Sequence, residues 1–201
     1  LANCRFFKGE YNDAVAGYEK FVSAYPQSTF MPLVRVRLAD CQFATGNYRD
    51  ALEKYRKVEA EYPQNEYIEY VVYYIGLTQY QLGEYQDSIK AFQGLLSRYP
   101  KGDFAAQAKY KIGDCHYAQS SFDTAVESYQ AVINDHPGDD LAVYAEFQTG
   151  MCYYYKEDWT KMASAFDGFV KKYPQSLLVA DAFYRLGENY QREKEFGKAR
   201  E

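Results

Sequence analysis

The sequence predicts an all-α solenoid built from repeated antiparallel helix pairs. Three observations predict it. Five prolines (Pro26, Pro63, Pro100, Pro137 and Pro174) follow one another at a spacing of 37 residues, and only Pro32 falls outside the series. Aromatic, small and glycine positions recur in phase with them. Between these marks apolar residues repeat at i, i+3, i+4 and i+7, the spacing of one helical face. Strands fit poorly, because the periodic segments are long and no hairpin turn pairs separate them.

The columns define the elements. Each proline is preceded by Tyr25, Tyr62, Tyr99, His136 or Tyr173. Eight residues before each proline stand Tyr18, Tyr55, Phe92, Tyr129 and Phe166. Four residues earlier come Ala14, Ala51, Ser88, Ala125 and Met162, reaching Ala199 in the last copy. Three before that the column is aromatic again: Tyr11, Tyr48, Tyr85, Phe122, Trp159 and Phe196. Gly9, Gly46 and Gly83 fill a further column that drifts to Ser120, Glu157 and Lys194.

Two helices per repeat follow. The second helix starts after the glycine. In repeat two it opens near Asn47, a good N-cap, with Asp50 in its first turn where the helix dipole favours an acid. Tyr48, Ala51, Leu52, Tyr55 and Val58 form its apolar face, and Glu53, Lys54, Lys57 and Glu61 its solvated one. It stops near Tyr62, since the residue before a proline resists the α conformation. The first helix is expected two residues after each proline, where Ser28, Asn65, Gly102, Asp139 and Ser176 are all N-cap formers. Its apolar residues, Tyr67 to Tyr80 in repeat three, go almost all the way round, so it must be sandwiched or line a groove.

Composition bounds the function. The chain has 201 residues, 23 of them Tyr, and a net charge of −5. Tyr suits half-buried surfaces, with a packed ring and a wet hydroxyl. A mildly acidic chain without a basic run is a poor nucleic-acid binder. No apolar stretch approaches the ~18–20 residues of a membrane helix, so no membrane insertion by this segment is expected. Leu1-Ala2-Asn3-Cys4 has the outline of a bacterial lipid-attachment box. No hydrophobic segment precedes it, and Asn stands where that box takes a small residue, so lipidation at Cys4 is not expected.

The columns resemble the tetratricopeptide repeat. Repeat two supplies Leu38, Ala39, Gly46, Tyr48, Ala51, Tyr55 and Pro63; repeat three supplies Ile75, Gly76, Gly83, Tyr85, Phe92 and Pro100, with Ser88 replacing the alanine. The resemblance covers the whole chain. It implies a right-handed superhelical solenoid of about twelve helices, partial ones included, in a single domain over 1–201. Partial repeats at 1–26 and 175–201 flank full repeats at 27–63, 64–100, 101–137 and 138–174. The family's usual period is about 34 residues; here it is 37. The three extra residues are expected to lengthen the first helix by almost a turn. Long repeats with the phrase Tyr-Pro-Gln-Ser (Tyr25 to Ser28, Tyr173 to Ser176) resemble a bacterial cell-envelope subgroup. That subgroup includes an outer-membrane-protein assembly lipoprotein and a periplasmic coordinator of the Tol-Pal system. This implies the periplasm or the periplasmic face of the outer membrane, with the cytoplasm as the alternative. Neither end resembles a polar solenoid cap, so the sequence reads as part of a longer protein.

By the same resemblance the first helices line a concave groove. One inner column is Val36, Tyr73, Tyr110, Phe147 and Tyr184. The other is Phe6, Phe43, Tyr80, Tyr117, Tyr154 and Gln191. Between them lie Asp40, Leu77, Asp114, Met151 and Glu188. Such a ladder suits an extended or helical peptide, its acids selecting a basic or backbone-donor partner. The same rings also suit plain packing against the neighbouring repeat, and both readings stand at this point. The Lys/Asn/Arg clamp by which cytosolic members hold a terminal carboxylate is not implied. The inner columns offer almost no cation apart from Arg192.

Catalytic and metal chemistry find no footing. Cys4, Cys41, Cys115 and Cys152 share one column with Thr78 and Asn189, which reads as a small residue buried against the adjacent helix. Equivalent positions one helix pair apart lie roughly 10 Å from each other, beyond disulfide reach. His116 follows Cys115, but adjacent helical residues diverge by ~100°, so no metal is expected. No phosphate loop, zinc motif or nucleophile motif occurs, so no cofactor is expected either. The function read from the sequence is a non-catalytic scaffold that binds a protein or peptide partner. Two alternatives accompany it: a self-associating structural solenoid, and a cytosolic adaptor segment of a larger protein.

Overall fold

The structure is a computed structural model that describes residues 1–198. Those residues form eleven helices and no strand. The first helices of the pairs are α1 (Ala2–Phe7), α3 (Met31–Ala44), α5 (Ile68–Gln81), α7 (Ala105–Ala118), α9 (Asp140–Tyr155) and α11 (Val179–Lys198). The second helices are α2 (Tyr11–Ala24), α4 (Tyr48–Glu61), α6 (Tyr85–Arg98), α8 (Phe122–Asp135) and α10 (Trp159–Lys172). Two compact units, Leu1–Ala108 and Lys109–Glu201, divide the chain. Within each unit helices pack on their neighbours in sequence.

The turn from first to second helix is one device used five times. Gly9, Gly46 and Gly83 take φ of 79°, 78° and 76°. The next residue's N–H then reaches back across the turn, as Asn47 N to Gln42 O at 2.9 Å and Glu84 N to Gln79 O at 2.9 Å. This is a Schellman closure, which needs one left-handed residue. Ser120 and Glu157 hold the same position at φ 58°, where a Cβ costs roughly 1–2 kcal/mol. Glu157→Gly should therefore stabilise the chain by about 1 kcal/mol, after the entropy lost by glycine. A thermal melt should show a rise of about 2–4 °C, and an unchanged melting temperature would contradict the strain. Lys194 is the sixth member of this column, and there the chain does not turn: α11 runs on through Lys198. The expected twelfth helix is thus not seen within the described residues, and Ala199 lies outside them.

The entry into the first helix differs from the sequence expectation. Asp139 caps α9 as expected, accepting from Leu141 N at 2.8 Å. Ser28, Asn65 and Ser176 make the same bond, to the N–H of Phe30, Tyr67 and Leu178. Yet helix begins only at Met31, Ile68 and Val179. The extra residues of the long repeat form a turn ahead of the helix, closed by Met31 N to Ser28 O at 3.0 Å. They do not add a helical turn: α3, α5 and α7 have 14 residues, the same as the second helices. Short polar side chains that bond their own backbone two residues on favour turns as much as caps.

Second helices end as expected, at Tyr25, Tyr62, Tyr99, His136 and Tyr173, all with φ between −125° and −135°. Their inner rings make the core. Tyr55, Phe92, Tyr129 and Phe166 are fully buried. Phe92, Tyr129 and Phe166 each lie on a glycine of the preceding first helix. A Cβ added to Gly76, Gly113 or Gly150 would stand 2.7, 2.6 or 2.6 Å from the ring of Phe92, Tyr129 or Phe166.

Candidate protein-binding site

The inner columns divide into two kinds of contact. Phe43, Tyr80, Tyr117 and Tyr154 sit near the ends of the first helices. Each meets the opening aromatic of the next helix edge-on: Phe43 with Tyr48 at 5.3 Å, Tyr80 with Tyr85 at 5.5 Å, Tyr117 with Phe122 at 5.6 Å, and Tyr154 with Trp159 at 5.7 Å. Phe6 and Tyr11 repeat the pair. These rings clasp the helix–helix elbow with one edge and leave the other partly at water. An edge-to-face pair adds about 0.5–1.5 kcal/mol beyond its buried area.

The second column leans on the core ring. Tyr73 packs on Phe92 at 5.6 Å, Tyr110 on Tyr129 at 5.4 Å and Phe147 on Phe166 at 5.4 Å. Tyr73 also stacks on Phe104 at 4.8 Å and is only 8% exposed. It is a core residue, not a ligand contact. Tyr110 and Phe147 are half-buried. Tyr184 differs again: it is 63% exposed, with the Arg185 guanidinium 5.3 Å from its ring centre. Arg185 also lies 4.5 Å from the centre of the Tyr154 ring.

Asp40 and Asp114 were expected at the groove surface, and the structure buries both. Asp40 is 6% exposed; its Oδ1 accepts from Tyr55 at 2.7 Å and Tyr70 at 2.9 Å, and its Oδ2 from Arg37 at 3.0 Å. In the other unit, Oδ1 of Asp114 accepts from Tyr129 at 2.8 Å and Oδ2 from Lys111 at 2.7 Å. Burial pushes the Asp40 carboxyl above its ordinary value, against the pull of Tyr55, Tyr70 and Arg37. These carboxylates are already partnered and do not select a basic ligand.

The cations beside them went unread in the sequence. Arg37, Lys111 and Arg185 each stand three residues before an acid, and Arg185 pairs with Glu188 at 2.8 Å. They stand one residue after the inner-column positions Val36, Tyr110 and Tyr184, against the rings of Phe6, Tyr110 and Tyr184. One signal was available. Where the core ring is Tyr18, Tyr55 or Tyr129, the residue fifteen earlier is Asn3, Asp40 or Asp114, and each accepts the hydroxyl. Where the ring is Phe92 or Phe166, the residue fifteen earlier is Leu77 or Met151. The preceding cation is likewise replaced, by Tyr74 and Gln148. A buried hydroxyl demands an acceptor and a buried phenyl does not.

Among the described residues no group of His, Cys, Asp and Glu is arranged to hold a metal ion. All four cysteines are free thiols, Cys4 exposed and the others buried. Burial pushes the Cys41 thiol to about 11 and the Cys152 thiol to about 12. A thiol-reactive dye at pH 8 should label Cys4 at once and the other three only on unfolding. Rapid labelling of more than one thiol in the native chain would contradict their burial. Raised thiol values also mean that the folded state holds protons the unfolded state gives up. Stability should therefore be full below the ordinary thiol value of 9.0 and fall as pH rises beyond it.

None of the described helices is long and apolar enough to cross a membrane. No curated protein matches the chain in sequence. Among solved structures it is similar to a tetratricopeptide repeat protein from Parabacteroides merdae (TM-score 0.75, 14% identity, 98% of this chain and 75% of that one). It is also similar to MamA from Desulfovibrio magneticus (TM-score 0.71, 15% identity, 87% and 93%). A third is YrrB, described as a tetratricopeptide protein with an unusual peptide-binding site (TM-score 0.66, 20% identity, 91% and 88%). Identities this low speak for the fold alone. A tetratricopeptide-repeat family model matches residues 107–139 and 144–176. A second model, YfiO, described as outer membrane lipoprotein, matches residues 2–114, more than half of the chain. With its helix pairs and this match together, the chain belongs to the tetratricopeptide-repeat proteins and, among them, to the YfiO outer-membrane-lipoprotein family.

Proposed function

We propose that this chain is a non-catalytic scaffold of a bacterial envelope assembly, holding a segment of a partner protein on the aromatic faces of its first helices. The observation that carries the reading is the set of rings left partly at water: Phe43, Tyr80, Tyr110, Tyr117, Phe147, Tyr154 and above all Tyr184. Rings fixed on one edge and wet on the other offer stacking area at little entropic cost. The buried acids remove basic selectivity from the account. The ligand is an extended or helical segment chosen by its apolar and aromatic side chains. The envelope placement rests on the family match, and the working location is the periplasm or the periplasmic face of the outer membrane.

Tyr80→Ala with Tyr184→Ala separates binding from folding, because neither ring is in the buried core. The tagged double variant should keep the parent's circular dichroism and recover a crosslinked envelope partner at least tenfold less well, a loss of about 1.4 kcal/mol. Equal recovery by variant and parent would remove these faces from the function. Fractionation of the native protein away from the envelope would remove the location.

A further inference from the structure

One cation of repeat two is held more loosely than its counterparts. In three repeats a position on the first helix and the position 26 residues later carry opposite charges: Arg35 and Glu61, Lys109 and Asp135, Glu146 and Lys172. Lys109 Nζ donates to Asp135 Oδ2 at 2.5 Å. Lys172 donates to Glu146, which also accepts from the Tyr173 hydroxyl at 2.7 Å. The pair in repeat two stays open, with Arg35 Nη1 3.4 Å from Glu61 Oε2. Glu61 is also shared, since Lys57 Nζ lies 3.8 Å from its other oxygen. The Nε of Arg35 is buried and has no hydrogen-bond partner. A buried N–H is rarely left so, and the commonest remedy is an acceptor from outside the chain.

The surroundings of Arg35 add positive charge rather than relieve it. Arg35, Leu38, Glu53, Lys54 and Lys57 line a cleft of about 140 Å³ between α3 and α4. A water takes about 30 Å³ of the liquid, so the cleft has room for one tetrahedral oxyanion. In the columns of Lys54 and Lys57 the later second helices carry small residues: Ala91 and Gly94 in α6, Ser128 and Ala131 in α8, Ala165 and Gly168 in α10. The two long cations are therefore not required by the packing of a helix pair. Lys54 is paired with no acid among the described residues. Three cations thus stand with Glu53 and a shared Glu61.

We propose that this cleft, within the unit Leu1–Ala108, binds a phosphate group. Arg35 supplies a planar guanidinium that matches phosphate oxygens, and Lys54 and Lys57 add two flexible ammonium groups. A phosphate monoester carries about −1.5 to −2 at pH 7. That charge offsets the excess of cations and gives the guanidinium the acceptor it lacks. A lipid headgroup and a soluble phosphate ester share this chemistry. None of the rings that carry the proposed function lines the cleft, so the two sites are tested separately.

The probe is inorganic phosphate, titrated into the 201-residue chain at constant ionic strength with chloride as the control. The Nε–H resonance of Arg35 is followed by NMR. A saturable shift with a Kd of about 1 mM or below is expected. Lys54→Ala with Lys57→Ala should weaken it at least tenfold. That double variant installs the small residues of the other repeats. It should keep the parent's melting temperature in chloride, since exposed ion pairs contribute little. Vesicles of phosphatidic acid that bind the parent and not the double variant would assign the phosphate to a lipid headgroup. Phosphate binding without vesicle binding would assign it to a soluble ester. A resonance that phosphate leaves unmoved, or a shift that the double variant reproduces at the same concentrations, overturns the proposal.

Discussion

Phe166→Ala should destabilise the chain by about 4 kcal/mol, the middle of the range for truncating a buried phenyl ring. The ring is fully buried and lies over Gly150 in α9, with Phe147 5.4 Å away. Met162, Phe169, Ala182 and Leu186 complete the cluster around it. Three helices, α9, α10 and α11, therefore meet on one side chain. Close approach over a glycine leaves little freedom for the neighbours to collapse into the space, so the cavity term adds to the transfer term. The reciprocal change fills the gap from the other side. Gly150→Ala puts a methyl group 2.6 Å from the ring and should cost about 2 kcal/mol through overpacking. Trp159, the single tryptophan, opens α10 and reports the transition by fluorescence. Urea midpoints for the two variants and for Gly187→Ala should separate clearly, the last being neutral or stabilising. A loss below about 1 kcal/mol for Phe166→Ala would mean that the ring is not the keystone of this cluster.

That ring was visible in the sequence as a column, and so was the helix that carries it. Every second helix begins at an aromatic and ends before a proline, and the 37-residue spacing of Pro26 to Pro174 marks both limits. Such features are local: a left-handed residue, a restricted dihedral, a 3.6-residue period. The candidate site was legible only in part, because burial is not local. Tyr73 and Tyr110 share a column and differ in depth, since Phe104 happens to stack on the first. Asp40 looks from its spacing like a groove acid, and only the positions of Tyr55 and Tyr70 on other helices take it into the core. Ser28, Asn65 and Ser176 have the chemistry of caps and of turns alike, and the chain uses it for turns. The pairing of Tyr with Asp and of Phe with Leu or Met was written in the sequence. It shows only when two columns fifteen residues apart are compared with each other.

The same pairing makes the second large prediction. Asp114→Ala should cost about 3 kcal/mol, because it strands the Tyr129 hydroxyl in the core and removes the carboxylate that bonds Lys111. Most of that cost is the penalty of the stranded hydroxyl rather than the worth of the interaction. The neighbouring repeat shows how the space is filled without them. Gln148, Met151 and Phe166 occupy the columns of Lys111, Asp114 and Tyr129 on the same backbone. Installing that set as Lys111→Gln, Asp114→Met and Tyr129→Phe should return stability to within about 1 kcal/mol of the parent, since well-packed apolar groups replace a buried ion pair with little loss. Urea denaturation of the three singles, the three pairs and the triple variant gives the coupling directly. A triple variant as unstable as Asp114→Ala would mean that the repeats are not interchangeable in their cores. Recovery would make the polar clasp a choice of partner ring rather than a source of stability.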